Sequence, residues 1–386
     1  MNLRLSPIKR HLKLNFYDAQ AIILFGPRKV GKTTLLHAQY PEAQYFDLLA
    51  SDIRNALTVR PQDLRERVQA NPQSVVIIDE IQKVPALLDE IHWLLENTPY
   101  QFILCGSSAR KLRYGSSNLL GGRALRYNLF PLVYSELPDL MLPTALERGL
   151  IPQHYHSQHY KKYLKSYIET YLAEEIIAEA LVRKIPTFIN FLEVAGSLNG
   201  ELLNYANLGR ECGVSAKSAK EYFQILEDTL IGFTLPPWTR STKRRMIETA
   251  RFYFFDNGIV NQLTRFGKNS RFLDPQGRAF ETFLLNEIRA YLDYYEKDER
   301  LTYWRTHTGL EVDLIVGNME VAIEFKYREN VRLKELTGLS ALLEEHHPRH
   351  VLAVTLDTVP RKLEGNILVL PWQAFLKQLW SGNIIP

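Results

Sequence analysis

In the first third of the chain, apolar residues come in runs of four or five, at Ala21–Phe25, 75–78 and 102–105. Stretches with helical spacing separate them, one starting at Lys32 and one over 87–95. Short buried strands alternating with helices predict a parallel sheet covered on both faces, so the class is α/β. Further on, Tyr160, Tyr163, Leu164, Tyr167, Ile168, Tyr171 and Leu172 recur every three or four positions, which predicts an amphipathic helix over 160–184. Its tyrosines are expected to pack in a core rather than to stack on bases. From about Leu301 the pattern returns to strands and then helices, a second α/β unit. Three parts follow: an α/β domain over 1–145, a largely helical region over 146–255, and a C-terminal α/β domain over 256–386.

Composition narrows the function classes. With 46% hydrophobic residues in 386, the chain has the apolar content of an ordinary globular protein. Arg4, Arg10 and Lys13 break up the N-terminal apolar residues, and nowhere do about 18 apolar residues run uninterrupted. A soluble, cytosolic protein is expected. Cys105 and Cys212 lack the paired spacing of a zinc site and cannot build a disulfide framework. A formal net charge of +4 is too small to signal nucleic-acid binding, so that argument rests on local clusters. His154, His156 and His159 have no carboxylate or cysteine beside them and are read as a solvated loop.

The densest chemistry lies at Gly26-Pro27-Arg28-Lys29-Val30-Gly31-Lys32-Thr33, followed by Thr34, between an apolar strand and a helix. It matches G-x-x-x-x-G-K-[ST] at every fixed position. Its glycines let backbone N–H groups close around phosphate, and the helix that follows adds the positive end of its dipole. Lys32 is expected to reach the β- and γ-phosphates of ATP, and the Thr33 hydroxyl to ligate Mg²⁺. The strand at 75–78 ends in Asp79 and Glu80, placing Asp79 for the metal and Glu80 for the attacking water. After 102–105, Gly106-Ser107-Ser108 puts a small polar group near the γ-phosphate, with Ser107 either a sensor or part of a turn. Gly121-Gly122-Arg123 sets a cation after a flexible turn, either an arginine finger for a neighbouring subunit or a solvated side chain.

The segments GPRKVGKTTLL, VVIIDEIQKVP, FILCGSSARKL and GGRALRYNLFPLVYSEL resemble the successive motifs of a divergent AAA+ family of bacterial and archaeal ATPases. The resemblance implies an AAA+ fold, ATP and Mg²⁺ as cofactors, ring-forming homo-oligomers, and a C-terminal half with a winged helix and a nuclease-like fold. Ser107 departs from the Asn or Thr usual at the sensor position.

In the middle region, Leu208-Gly209-Arg210-Glu211-Cys212-Gly213-Val214-Ser215 followed by Ala216–Asp228 has the grammar of helix, glycine turn, serine cap and second helix. Lys217, Ser218 and Lys220 would then face a DNA groove. Over 238–251, Arg240, Lys243, Arg244, Arg245 and Arg251 outnumber one acid, Glu248, as on a basic wing. Winged helices also serve as protein-binding modules, and the resemblance allows either partner.

At the C-terminal end, residues 311–316 and 320–326 flank Gly317-Asn318, which predicts a tight hairpin. With a two-residue turn, Val316 pairs with Met319 and Glu311 stands opposite Glu324. Glu311, Asp313, Glu324 and Lys326 share one face, a crowding of carboxylates that a divalent cation on Asp313 and Glu324 would relieve. The order Asp313, then Glu324-x-Lys326, with Glu281 on the preceding helix, resembles the PD-(D/E)XK nuclease core, many of whose members no longer cleave. Three functions fit: an ATP-driven protein that remodels DNA, junctions and branched DNA included; a nucleotide-switched scaffold that binds proteins; and an ATP-dependent nuclease.

Overall fold

The computed structural model describes residues 8–71, 73–106, 122–172, 185–241, 243–266 and 274–385. The chain divides into two compact units, the first running to Leu132 and the second carrying most of the remainder.

The first unit is built on a five-stranded sheet of β1 (Ala21–Phe25), β2 (Gln44–Asp47), β3 (Val75–Asp79), β4 (Gln101–Gly106) and β5 (Ala124–Asn128), in the order β2-β3-β4-β1-β5. Every pairing is parallel. Helix α1 (Lys32–Gln39) follows β1 directly, and α2 (Ser51–Val59), α3 (Asp63–Gln69) and α4 (Leu87–Asn97) follow later. Leu87, Leu88, Ile91, Leu94 and Leu95 recur at helical spacing and put one face of α4 into the core beside Val76, Ile78, Phe102 and Leu104. Each such buried side chain contributes roughly 1.5–3 kcal/mol. The sheet therefore holds the carboxyl ends of β1 and β3 in fixed relation, with β4 between them, and ligands of open parallel sheets bind at such carboxyl ends.

The second unit begins with α5 (Leu142–Arg148), α6 (Pro152–His156) and α7 (Tyr160–Ser166), the last passing into a wider π-type segment at Tyr167–Leu172. Tyr160, Leu164, Tyr167 and Ile168 are buried, so this stripe is core. The histidine reading needs correction: His154 and His156 lie on α6 rather than in a loop, and His154 is buried against the edge of Tyr167. Helix α8 (Ile185–Ser197) leads to α9 (Tyr205–Cys212) and α10 (Ala216–Asp228). Asn204 caps α9 by accepting from Asn207 N–H, Gly213 ends it in the left-handed conformation, and Ser215 Oγ accepts from Ser218 N–H at 3.0 Å to start α10. A two-stranded antiparallel ribbon, β6 (Gly232–Leu235) with β7 (Arg251–Phe254), follows.

Helices α11 (Asn257–Phe266) and α12 (Pro275–Tyr294) then lead into a six-stranded mixed sheet. Its strands are β8 (Leu301–Arg305), β9 (Glu311–Val316), β10 (Val321–Lys326), β11 (His350–Thr355), β12 (Arg361–Lys362) and β13 (Leu368–Pro371), ordered β12-β13-β11-β10-β9-β8. Helix α13 (Thr337–Leu342) packs Leu339 and Leu342 on this sheet, and α14 (Trp372–Trp380) closes the chain. The middle region and this sheet belong to one unit. Part of the reason is the segment between β6 and β7, which lies along β8: Trp238 N–H donates to Tyr303 O at 2.6 Å and Ile247 N–H to Arg305 O at 2.9 Å.

The β9–β10 register differs from the two-residue turn expected. Val316 pairs with Val321 and Leu314 with Ile323, leaving a four-residue turn in which Gly317 and Met319 take positive φ and Glu320 N–H returns to Val316 O. The shift of two residues keeps every side chain on its face. Continued outward, it sets Asp313 opposite Glu324.

Candidate active site

Strand β1 runs into the loop 26–31. A Cβ on Gly26 would lie 2.6 Å from Leu129 O, so only glycine fits there, and Gly31 takes φ 102° just before α1. Pro27 and Val30 are buried, Arg28 is half-buried, and Lys29 is exposed. Lys32, only 7% exposed, turns its amino group into the loop and donates to Gly26 O at 2.6 Å and Pro27 O at 3.0 Å. Arg10 braces the loop from behind, with Nη1 on Val30 O and Nη2 on Phe130 O. That role was not foreseen from the sequence, because Arg10 belongs to no motif.

The two nucleotide motifs meet at Asp79. Thr33 Oγ1, at the first turn of α1 and next to the exposed Thr34, donates to Asp79 Oδ2 at 2.8 Å. The same oxygen accepts from the Tyr45 hydroxyl, a partner on β2 that sequence motifs did not single out. A hydroxyl and a carboxylate at one point beside an N–H-lined loop are the hard oxygen donors that Mg²⁺ takes alongside phosphate. The residues therefore fit Mg-ATP. Glu80 follows in a left-handed conformation, φ 59°, which is uncommon for a non-glycine residue. Its Oε2 accepts from Gln82 Nε2, so its carboxylate is held beside the site.

Ser107 lies outside the described residues, as does Gly121. Arg123 ion-pairs with Glu96 at 2.9 Å, and this pair holds the Glu96 carboxyl below its usual range. Because Ala124 pairs in parallel with Ala21, Arg123 stands at the amino end of the sheet. The P-loop is at the carboxyl end, a strand length of roughly 15 Å away. Arg123 thus points away from its own nucleotide site.

In the second unit, acids and bases crowd a cleft of about 610 Å³ lined by Glu281, Glu311, Asp313, Lys326, Arg278 and Arg328 among others. The β9–β10 ladder opens here, and Asp313 accepts from Phe325 N–H at 2.8 Å. Lys326 Nζ donates to Glu324 Oε1 at 2.6 Å, whereas Glu324 Oε2 is buried with no hydrogen-bond partner among the described residues. Burial, helped by neighbouring carboxylates, pushes Asp313 well up and Glu324 to about 7. Glu281 on α12 accepts from Tyr253 OH at 2.5 Å and pairs with Arg278 at 3.1 Å.

Arg251, read from sequence as part of a basic wing, is 2% exposed and buried in this cluster. Its guanidinium lies 2.5 Å from Glu311 and 3.7 Å from Glu281, and Arg305 closes on Glu311 at 2.9 Å. Burial works to raise Glu311, but the charge and hydrogen bond of Arg251 together with the charges of Arg305 and Arg278 outweigh it and hold the carboxyl low. Among the described residues no group of three or more His, Cys, Asp or Glu is arranged to hold a metal.

Of the sequence-read DNA residues, Lys217 and Lys220 are exposed near the start of α10. Arg244 is engaged by Glu345 at 2.9 Å and by Glu344, Lys243 by the Glu344 carbonyl at 2.5 Å, and Arg240 by Asn318 at 3.2 Å. Arg245 is exposed. Most of this basic stretch is therefore tied down within its own unit. Cys105 and Cys212 are buried free thiols. Among the described residues no helix is long and apolar enough to cross a membrane.

Comparison with known proteins agrees with the P-loop geometry. Residues 18–138 match the family described as AAA domain, while 141–270 and 276–375 match two domains of unknown function, DUF8612 and DUF4143. An uncharacterised protein of Mycobacterium tuberculosis is 26% identical over 315 residues, covering 79% of this chain and 69% of its own length. An uncharacterised protein of Methanocaldococcus jannaschii is 23% identical over 419 residues, covering 92% and 84%. Among solved structures, a Walker-type ATPase of Pyrococcus abyssi superposes with TM-score 0.43 at 14% identity, over 64% of this chain and 92% of that one. The Orc1 protein of Aeropyrum pernix in complex with DNA gives 0.31 at 11%, over 64% and 86%. The chain carries a divergent AAA-like P-loop domain, followed by a DUF8612 and a DUF4143 domain.

Proposed function

We propose that the protein hydrolyses ATP at 26–34, 79 and 80 and uses the nucleotide cycle to act on DNA. The convergence of Thr33 and Asp79 at 2.8 Å carries the enzymatic part, since it brings a helix-start hydroxyl and a strand-end carboxylate from separate motifs to one place. Mg²⁺, when bound, neutralises charge on the phosphates. Lys32 binds and orients those phosphates, Thr33 and Asp79 hold the metal, and Glu80 takes a proton from the attacking water once released from Gln82. Because Arg123 is at the far end of its own sheet, any finger role is exercised on a neighbouring subunit of a homo-oligomer, a ring on the AAA+ precedent.

The DNA reading is supported by α9, the Gly213 turn and the Ser215-capped α10, with Lys217 and Lys220 exposed where a recognition helix meets the major groove. The β6–β7 ribbon is then the wing. The carboxylate cleft is a nuclease-like domain that holds DNA without cutting it, its acids largely compensated by Arg251, Arg278, Arg305 and Lys326. One observation favours a second reading, a nucleotide-switched scaffold for protein partners: Lys243 and Arg244 are engaged internally and so withheld from phosphate. ATP turnover measured with no DNA, duplex, single strand and four-way junction decides between them. Stimulation by one of the DNAs is expected, and turnover indifferent to all of them selects the scaffold.

A further inference from the structure

Tyr45, like Arg10, makes a contact at the nucleotide site that no sequence motif predicts. It sits on β2 with its backbone opposite Ile77, two residues before Asp47 comes opposite Asp79. From there its hydroxyl reaches Asp79 Oδ2, the oxygen that also accepts from Thr33. Its ring stacks on His37 of α1 at 4.5 Å and 22°, one helical turn beyond Thr33. The side chain is thus clamped between the strand that carries it and the helix that carries the metal-ligating hydroxyl.

We propose that Tyr45 is a positioning residue for metal-dependent nucleotide binding, one that fixes which oxygen of Asp79 is turned to Thr33 and which is left for the metal's hydration shell. A carboxylate rotates about its terminal torsion at little cost, so one hydroxyl bond leaves its orientation loosely set. A second donor on the same oxygen sets it. The inference rests on the Mg-ATP reading of the site.

The test uses the full chain and a fluorescent ATP analogue, measuring Kd in EDTA and in saturating Mg²⁺. In Tyr45→Phe the ring still stacks on His37 and the core is unchanged, but the donor is gone. A hydrogen bond to a charged group contributes about 1.5–3 kcal/mol, so the tightening produced by Mg²⁺ should shrink roughly tenfold or more while Kd in EDTA stays at the wild-type value. His37→Ala, which removes the stack and leaves the hydroxyl, should retain the wild-type Mg²⁺ effect. An unaltered Mg²⁺ effect in Tyr45→Phe overturns the proposal, and so does an equal loss in His37→Ala, which would make the role one of packing. A wild-type protein that binds no nucleotide under either condition refutes the Mg-ATP reading itself.

Discussion

The nucleotide site and the C-terminal cleft both gather carboxylates and cations, yet they settle their charge in opposite ways. At the P-loop the cation is Lys32, held by neutral carbonyls of its own loop, so its charge is available to an incoming phosphate. In the cleft, Arg251 is buried between Glu281 and Glu311, with Arg278, Arg305 and Lys326 taking up further carboxylates. A site that uses a ligand's charge leaves its own charge unmatched. A site that has become part of the framework matches it from within, and buried pairs of this kind lose several kcal/mol when one partner is removed.

The largest expected effect breaks the first site. Lys32→Ala should lose tight ATP binding and all measurable turnover, whereas Glu80→Gln should keep binding and lose turnover by roughly 10²-fold or more. Equal turnover in wild type and Glu80→Gln would remove Glu80 from the chemistry. Next comes the second site. Arg251→Met takes the buried cation from Glu311 and Glu281, which keep Arg305 and Arg278, and should destabilise the second unit by about 3 kcal/mol, with Glu311→Gln added to the same protein recovering part of the loss. Denaturant unfolding reads both. If Arg251→Met costs nothing, the internal-compensation view of the cleft fails.

The two regions also differ in how far their sequence could be read. The P-loop is local: its fixed residues are contiguous and its geometry follows from glycine spacing, so both the strand and the helix around it were legible. Asp79 and Glu80 were legible for the same reason, as the end of an unbroken apolar strand. Tyr45, Arg10 and Arg251 were not, because each acts on a partner far along the chain: Asp79 for Tyr45, Val30 and Phe130 for Arg10, Glu281 and Glu311 for Arg251. Arg251 shows the hazard of reading charge by neighbourhood. In sequence it extends a basic run, but it is the first residue of β7, a strand buried along its whole length. The hairpin faces were legible and its register was not, since parity survives a change from a two-residue to a four-residue turn.

A smaller effect sharpens the comparison, because Glu324 Oε2, next to the cleft-lining Phe325, is buried with no hydrogen-bond partner among the described residues. Mn²⁺ or Mg²⁺ in the absence of nucleotide should raise the melting temperature of the second unit by about 2–4 °C, and Asp313→Asn should abolish the gain. Glu324 is raised to about 7 from an ordinary value near 4.5. The stability that its proton brings is therefore complete below the ordinary value and is lost as pH rises through about 7. A cation competes with that proton, so the metal-dependent gain should be larger at pH 8 than at pH 6. Nicking of supercoiled plasmid should be absent. Vigorous nicking that vanishes in Asp313→Asn and Lys326→Ala would make the cleft catalytic.

The smallest expected effect concerns the exposed lysines of α10, and it asks whether unmatched charge marks a working surface here as at the P-loop. Lys217 and Lys220 are exposed, whereas Arg244 is committed to Glu344 and Glu345. If DNA lies against α10, replacing both lysines by alanine should weaken binding of every sequence and reduce the slope of log K against log salt by about 2, one unit for each lost phosphate contact. Arg244→Ala should leave that slope unaltered and instead loosen the strap along β8, read as a modest fall in melting temperature. Arg240 and Arg245, exposed cations of the segment between β6 and β7, set the intermediate case: their replacement lowers the slope only if the β6–β7 wing reaches the backbone. A salt slope that falls for Arg244→Ala but not for the lysine pair would reverse the assignment. It would mean that the strap opens on DNA and that the helix–turn–helix faces another partner.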